Sequence, residues 1–255
     1  MATAVTTPLW LAELVAASPE TLGLVMLAAD PHARRLDQAT QRAAVGDALA
    51  DGASAAEAMR QRFPGLGPQQ IAHALGVTIE AVDDDPVAAS LWRFAEYRQR
   101  QVGILLYARG IAPLERAIVD DLATQLLGLA TLRDVFVAHE LFHHLEAIRS
   151  EPPIARRYQP TLFRIGNWHW RSGIAALAEI AAGAFAQTLL DLPCHPKVMD
   201  LVALDAVGAG TAAADIAARV AAIGAARLAI PAGLLSTICE PAPAVAALRR
   251  GRGCR

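Results

Sequence analysis

A helix obliged to carry two histidines on one face constrains this chain more than any other feature of its sequence. His139-Glu140-Leu141-Phe142-His143-His144 falls inside a stretch whose apolar spacing reads as helix. At about 100° per residue, an i, i+4 pair of imidazoles lies one turn apart on one side, so His139 and His143 can converge on a single ion. That geometry suits zinc. Glu140 follows the first histidine and reaches the open side of such an ion, where a carboxylate can take a proton from water attacking a carbonyl. With seven histidines in 255 residues, chance alone places H-E-x-x-H in roughly one such chain in a hundred. A buried histidine pair satisfied by backbone or carboxylate would read the same way, so the rest of the chain has to decide.

The helix has its own start and stop. Thr131 is an N-cap with Asp134 three residues later, a capping box with a shorter acid, and Arg149, Ser150 and Pro152-Pro153 close it. Val135, Phe136, Phe142 and Leu145 anchor it by packing, which would hold the histidines on a rigid element.

Composition supports a mainly helical protein. Hydrophobic residues make up 54% of the chain and the mean hydropathy is +0.32, most of it alanine, which favours helix and close contacts but contributes little area per residue. A formal charge of -2 from 23 basic and 25 acidic side chains, with no basic stripe, argues against a nucleic-acid partner. The Arg249-Arg250-Gly251-Arg252 run ending in Arg255 reads as a solvated, frayed tail. Cys194, Cys239 and Cys254 are too few and odd in number for a disulfide framework, and Met1 to Pro8 has no basic region, the first arginine being Arg34. A cytoplasmic location is therefore expected. The apolar stretches 22–29 and 221–235 are short or broken by Arg227 and Pro231, so neither reads as a membrane span and no membrane partner is expected.

Along the chain, residues 8–63 read as two or three short helices, one with Trp10, Leu11 and Leu14 at helical spacing. Another, 55–63, follows a break at Gly52 and is capped by Ser54 and Glu57. Residues 68–75 read as helix ended by Gly76, followed by a strand over 77–82. The pair has some look of a helix-turn-helix, but Asp83-Asp84-Asp85 and the lack of basic residues discount it. Val102 to Tyr107 reads as a buried strand, Gly110 and Pro113 as a turn, and 114–127 as a helix. An edge strand near the histidine helix could hold an extended substrate by main-chain hydrogen bonds. Gly208-Ala209-Gly210-Thr211-Ala212-Ala213 superficially fits a dinucleotide loop, but too little chain follows it, and a helix-turn-helix packing unit is the better reading.

A catalytic zinc site needs a third protein ligand. The extended H-E-x-x-H-x-x-G-x-x-H pattern is excluded, because Glu146 and Arg149 stand where Gly and His would be. Glu179, in a helical run from about 172 to 192, borders an apolar stripe of Ala182, Phe185, Ala186, Leu189 and Leu190. A carboxylate there is costly unless paired or metal-bound, which makes Glu179 the favoured ligand over an ordinary solvent-facing role. His169, between Trp168 and Trp170, remains open as ligand, oxyanion donor or core filler. His144 points away from the pair and suits packing or a supporting role, and Glu146 suits orienting a histidine nitrogen. Tyr158, Arg157 and Arg164 lie in the connection between the two helices, where one of them could meet an oxyanion or a substrate carboxylate. Tyr158 and His169 are carried forward with Glu140 as the catalytic set.

The segment Val137-Ala138-His139-Glu140-Leu141-Phe142-His143-His144 resembles the A-H-E-L-G-H of the ImmA/IrrE-type zinc metallopeptidases. Residues 179–193, Glu179 through Pro193, are similar to the family's E-x-x-A-x-x-F-A-x-x-L-L pattern followed by proline. Residues 71–77 and 104–111 resemble its helix-to-strand opening and central strand. The resemblance covers roughly 64–195 and implies an α+β, mainly helical, zincin-like metallopeptidase core with a small sheet. It also implies zinc held by His139, His143 and Glu179, Glu140 as general base, and a protein or peptide substrate, a regulatory protein among the choices. Phe142 departs from the family's glycine. Residues 1–63 and 196–255 are expected as helical extensions, the latter packed on the same core. The rival reading is a non-catalytic regulatory or protein-interaction protein that keeps the zincin fold.

Overall fold

A computed structural model describes residues 9–88, 91–208 and 210–228. Helices α1 (Leu9–Ala16), α2 (Pro19–Ala29) and α3 (Gln38–Arg62) come first, and α4 (Pro68–Ala74) leads into β1 (Thr78–Val82). Strands β2 (Val87–Ala88), β3 (Leu91–Trp92), β4 (Ala95–Arg98) and β5 (Gly103–Tyr107) follow. Next are α5 (Ala108–Ala117), α6 (Asp120–Leu127), α7 (Leu132–Ile148) and the short α8 (Ile154–Arg157). The hairpin β6 (Thr161–Ile165) and β7 (Trp168–Arg171) precedes α9 (Ala176–Leu190), α10 (Lys197–Ala206) and α11 (Gly210–Leu228). The architecture is α+β and mainly helical with a small sheet.

That sheet has the order β1-β5-β4, with β1 parallel and β4 antiparallel to β5. Gly-Ile-Leu-Leu-Tyr in β5 is buried at every position, as a central strand with a continuous apolar run should be. β1 is exposed or half-buried throughout and forms one edge. The other edge is β4, whose Ala-Glu-Tyr-Arg alternates apolar or aromatic with charged side chains for only four residues and is half-buried throughout; pairing with β5 establishes it as a strand.

Three expectations are corrected. Gly52 does not break a helix, because α3 runs unbroken through it. The missing side chain serves contact instead: a Cβ at Gly52 would fall on the Ala181 carbonyl oxygen, so α3 and α9 cross there backbone to backbone. Likewise, Gly110 and Pro113 lie inside α5, which begins directly after β5. Gly110 is required because a Cβ would meet the Arg93 carbonyl, and Trp92 Nε1 donates to the Gly110 oxygen at 3.1 Å. The expected helix over 114–127 is two helices, broken between Ala117 and Asp120, where Asp120 adopts φ 52.

One hydrophobic cluster runs from Leu11 to Val220 and includes side chains of α1 to α3 as well as α10 and α11. α9 is its axis, buried from Ile180 through Ala186 between α3, α7 and α2. The turn at Gly208 (φ 85) separates α10 from α11, so the glycine pattern there follows a helix, not a strand. Among the described residues no single helix is long and apolar enough to cross a membrane. Residues 1–8, Cys239, Cys254, the end of the 221–235 stretch and the arginine tail lie outside the described residues.

Candidate metal centre

α7 starts where its sequence says it should. Thr131 Oγ1 accepts the Asp134 N–H at 3.1 Å and Asp134 Oδ2 accepts from Thr131 N–H at 3.4 Å, closing the capping box. Val135, Val137, Ala138, Leu141 and Phe142 are buried, which turns His139 and His143 to the helix's half-exposed side. Phe142 fills the space against Phe185 of α9, ring centroids 5.8 Å apart.

α9 brings the third group. Ala175 offers no side-chain cap, and Asp30 Oδ2 takes its place by accepting the Ala176 N–H at 3.3 Å. Glu179 falls in the first turn, where the helix dipole favours a carboxylate. Its Oε2 lies 3.1 Å from His139 Nε2 and its Oε1 3.5 Å from His143 Nε2. All three ligand atoms lie within 4.8 Å of one another. An ion with bonds of about 2.0–2.1 Å in tetrahedral geometry holds its ligand atoms roughly 3.3 Å apart, and each imidazole nitrogen lies near that distance from one of the two Glu179 oxygens. This donor set can hold a metal ion.

The three groups also satisfy one another. Burial pulls the His139 imidazole down, but the hydrogen bond and charge of Glu179, with help from Glu140 and Asp200, outweigh it and raise it to about 9. For Glu179, burial pushes up while the His139 hydrogen bond and charge, then His143 and Lys197, bring it down to about 2. A cation would take the place of the imidazole proton. Bordering the triad, Lys197 Nζ and Asp200 Oδ2 form a 2.7 Å ion pair in the first turn of α10.

Glu140 faces the sheet. Its Oε2 accepts the Tyr97 N–H at 2.7 Å. Tyr107 N–H donates to the Phe94 oxygen, so residues 94, 96 and 98 turn their backbone groups to β5 and those of Ala95 and Tyr97 point away from it, toward α7. The Tyr97 hydroxyl lies 2.9 Å from Nδ1 of the buried His144, and burial lowers that imidazole's pKa. His144 thus pins β4 to α7 one turn beyond Glu140.

The structure does not bring Tyr158 or His169 to this group. Tyr158 donates its hydroxyl to Asp47 Oδ2 at 2.7 Å, beside the pairing of Asp51 with Arg149 and Arg157. Arg149 closes α7 ten residues after His139, or about 15 Å along the axis, so that network braces α3 against the helix's far end. His169 is exposed on β7 opposite Arg164. Glu146 also differs from expectation: it accepts the Ile154 N–H at 3.0 Å and pairs with Arg149, orienting no histidine.

Tyr97, His144 in its tie to β4, and the Lys197–Asp200 pair are the contributors that sequence reasoning missed. The i, i+3 spacing of Lys197 and Asp200 was a visible signal; nothing local marks Tyr97. No protein-family model, curated protein or solved structure matches the chain.

Proposed function

We propose that this chain is a zinc-dependent peptidase of the zincin type, acting on an extended protein or peptide segment laid between β4 and α7. The reading rests on one observation: Glu179 meets His139 and His143 at 3.1 and 3.5 Å while Glu140, on the same helix, touches the outward edge of β4. His139, His143 and Glu179 would hold the ion, which when bound polarises the scissile carbonyl and lowers the pKa of water. Glu140 accepts the proton of the attacking water and delivers it to the leaving amine. The backbone groups of Ala95 and the Tyr97 carbonyl face outward for pairing with the substrate main chain, and the Tyr97 N–H joins them only when Glu140 releases it. His144 keeps Tyr97, and with it the strand, in place.

The second reading is a regulatory or protein-interaction protein with the same fold, and one observation favours it: Glu140 already accepts the Tyr97 N–H. A base committed to that bond hydrolyses nothing. Peptide-library cleavage and metal content, measured together on Glu140→Gln and Glu179→Ala, separate the two. We expect Glu140→Gln to keep its zinc and lose about 10²- to 10⁴-fold in turnover, and Glu179→Ala to lose both. Wild-type protein that cleaves nothing in the library, with or without zinc, would favour the interaction protein, and wild-type protein that binds no zinc would end the peptidase reading.

A further inference from the structure

The β6–β7 hairpin plays no part in the metal centre and carries the molecule's most exposed aromatic surface. Register pairs Phe163 with Trp170 and Ile165 with Trp168, which places all four on one face; Arg164 pairs with His169 on the other. On the apolar face Phe163 and Trp170 stack at 5.7 Å, and exposures reach 70% at Ile165 and 68% at Trp168, nearest the Gly166-Asn167 turn. The root is fixed: Arg35 Nη1 donates to the Thr161 and Leu162 oxygens at 3.1 and 2.7 Å. The face is therefore held open to solvent on a braced element.

Charge narrows the partner. Between Glu151 and Glu179 the sequence has Arg156, Arg157, Arg164 and Arg171 and no acidic residue, in a chain whose net charge is -2. Arg157 is taken by Asp51, whereas Arg164 and Arg171 make no ion pair among the described residues. We propose that this hairpin docks on an anionic lipid surface, its apolar face entering the boundary between headgroups and acyl chains. Trp168 and Trp170 suit that depth because an indole joins a large apolar body to one N–H. Arg164 and Arg171, on the opposite face or at the root, extend to lipid phosphates.

The alternatives fit less well. A single-stranded nucleic acid wants stacking rings and phosphate-binding cations along one groove; here they lie on opposite faces of a hairpin, which one strand does not reach together but a headgroup layer surrounding the hairpin's tip does. Self-association through four half-exposed side chains offers roughly 400–500 Å² per copy, short of the ~800 Å² a stable pair buries. No spanning helix is needed for a peripheral contact, so the sequence-based expectation of no membrane partner is revised in this respect only.

The test is sedimentation of the full chain with vesicles of phosphatidylcholine, with and without phosphatidylglycerol, alongside tryptophan emission. We expect binding to the anionic vesicles with a blue shift and little binding to the neutral ones. Arg164→Gln/Arg171→Gln should weaken partitioning roughly 30-fold, about fivefold for each cation removed. Trp168→Ser/Trp170→Ser should abolish it, with far-ultraviolet dichroism and metal content unchanged in both variants. Three results each overturn the proposal: no binding by wild type, binding that survives the tryptophan substitutions, or the same substitutions abolishing instead a dimer or an oligo-dT complex formed without vesicles.

Discussion

His195 joins α9 to α10 through a single buried ring. It is 2% exposed, its Nδ1 accepts the Lys197 N–H at 3.2 Å, and it occupies the space that a Cβ on Gly183 would need. Nε2 has no hydrogen-bond partner among the described residues. Burial, then repulsion from His139, lowers the imidazole pKa from 6.5 to about 4. The unfolded chain takes up a proton near pH 6.5 and the folded one does not until about 4, so stability is complete above that window and is lost as pH falls through it. The shift amounts to about 3 kcal/mol. Urea unfolding of wild type and His195→Asn at pH 7 and pH 4 should show their difference in stability narrow by about that amount in acid; parallel pH slopes would count against it. At this scale sequence served unevenly. His139 and His143 were legible because four residues make one helical turn, and Glu179 because it borders an apolar stripe. Tyr158 and His169 were not placed correctly, since where their segments lie depends on Asp47 and on strand pairing, which no local spacing encodes.

Between elements, small residues set how near α3 can come to α9, the helix that carries Glu179. α9 presents Ala181, Ala182, Gly183 and Ala184 in a row, and Gly52 lets α3 reach the Ala181 carbonyl. Glu179 lies two residues before that contact, so the spacing of α3 and α9 also fixes the third ligand. Gly52→Ala gains about 1 kcal/mol in helix propensity but forces a Cβ onto backbone, for which overpacking costs of about 1–3 kcal/mol are a lower guide. We expect a net loss of stability together with weaker zinc binding, read by thermal melting and by competition with a chelating dye. A variant as stable as wild type with unchanged affinity would show that the crossing can relax without moving Glu179. The same glycine was the main misreading along the sequence: in one dimension a glycine between helical patterns signals a break, and only the facing helix reveals a contact. β4 escaped notice for a related reason: its alternation lasts only four residues, and the pairing with β5 is what distinguishes it from a loop.

For the whole molecule, the question is which stretch of chain builds the centre. The family-like segment, residues 64–195, contains all three residues that could hold the ion, and its helices and central strand were readable from periodicity and caps. Yet the small-residue face of α9 is covered by α3 and α2, and His195 is held through Lys197 at the start of α10. A fragment of residues 64–195 would uncover Ile180 and Ala181, both fully buried in the intact chain against Gly23 of α2 and Gly52 of α3. Each large side chain so exposed forfeits about 1.5–3 kcal/mol, and a domain's net stability is only about 5–15 kcal/mol. We therefore expect residues 64–195 to show no cooperative melt and to bind zinc far more weakly than residues 9–228, by calorimetric titration of both. If the shorter fragment melts cooperatively and binds zinc as the longer one does, the flanking helices are separable additions; otherwise they are part of the metal centre's own scaffold.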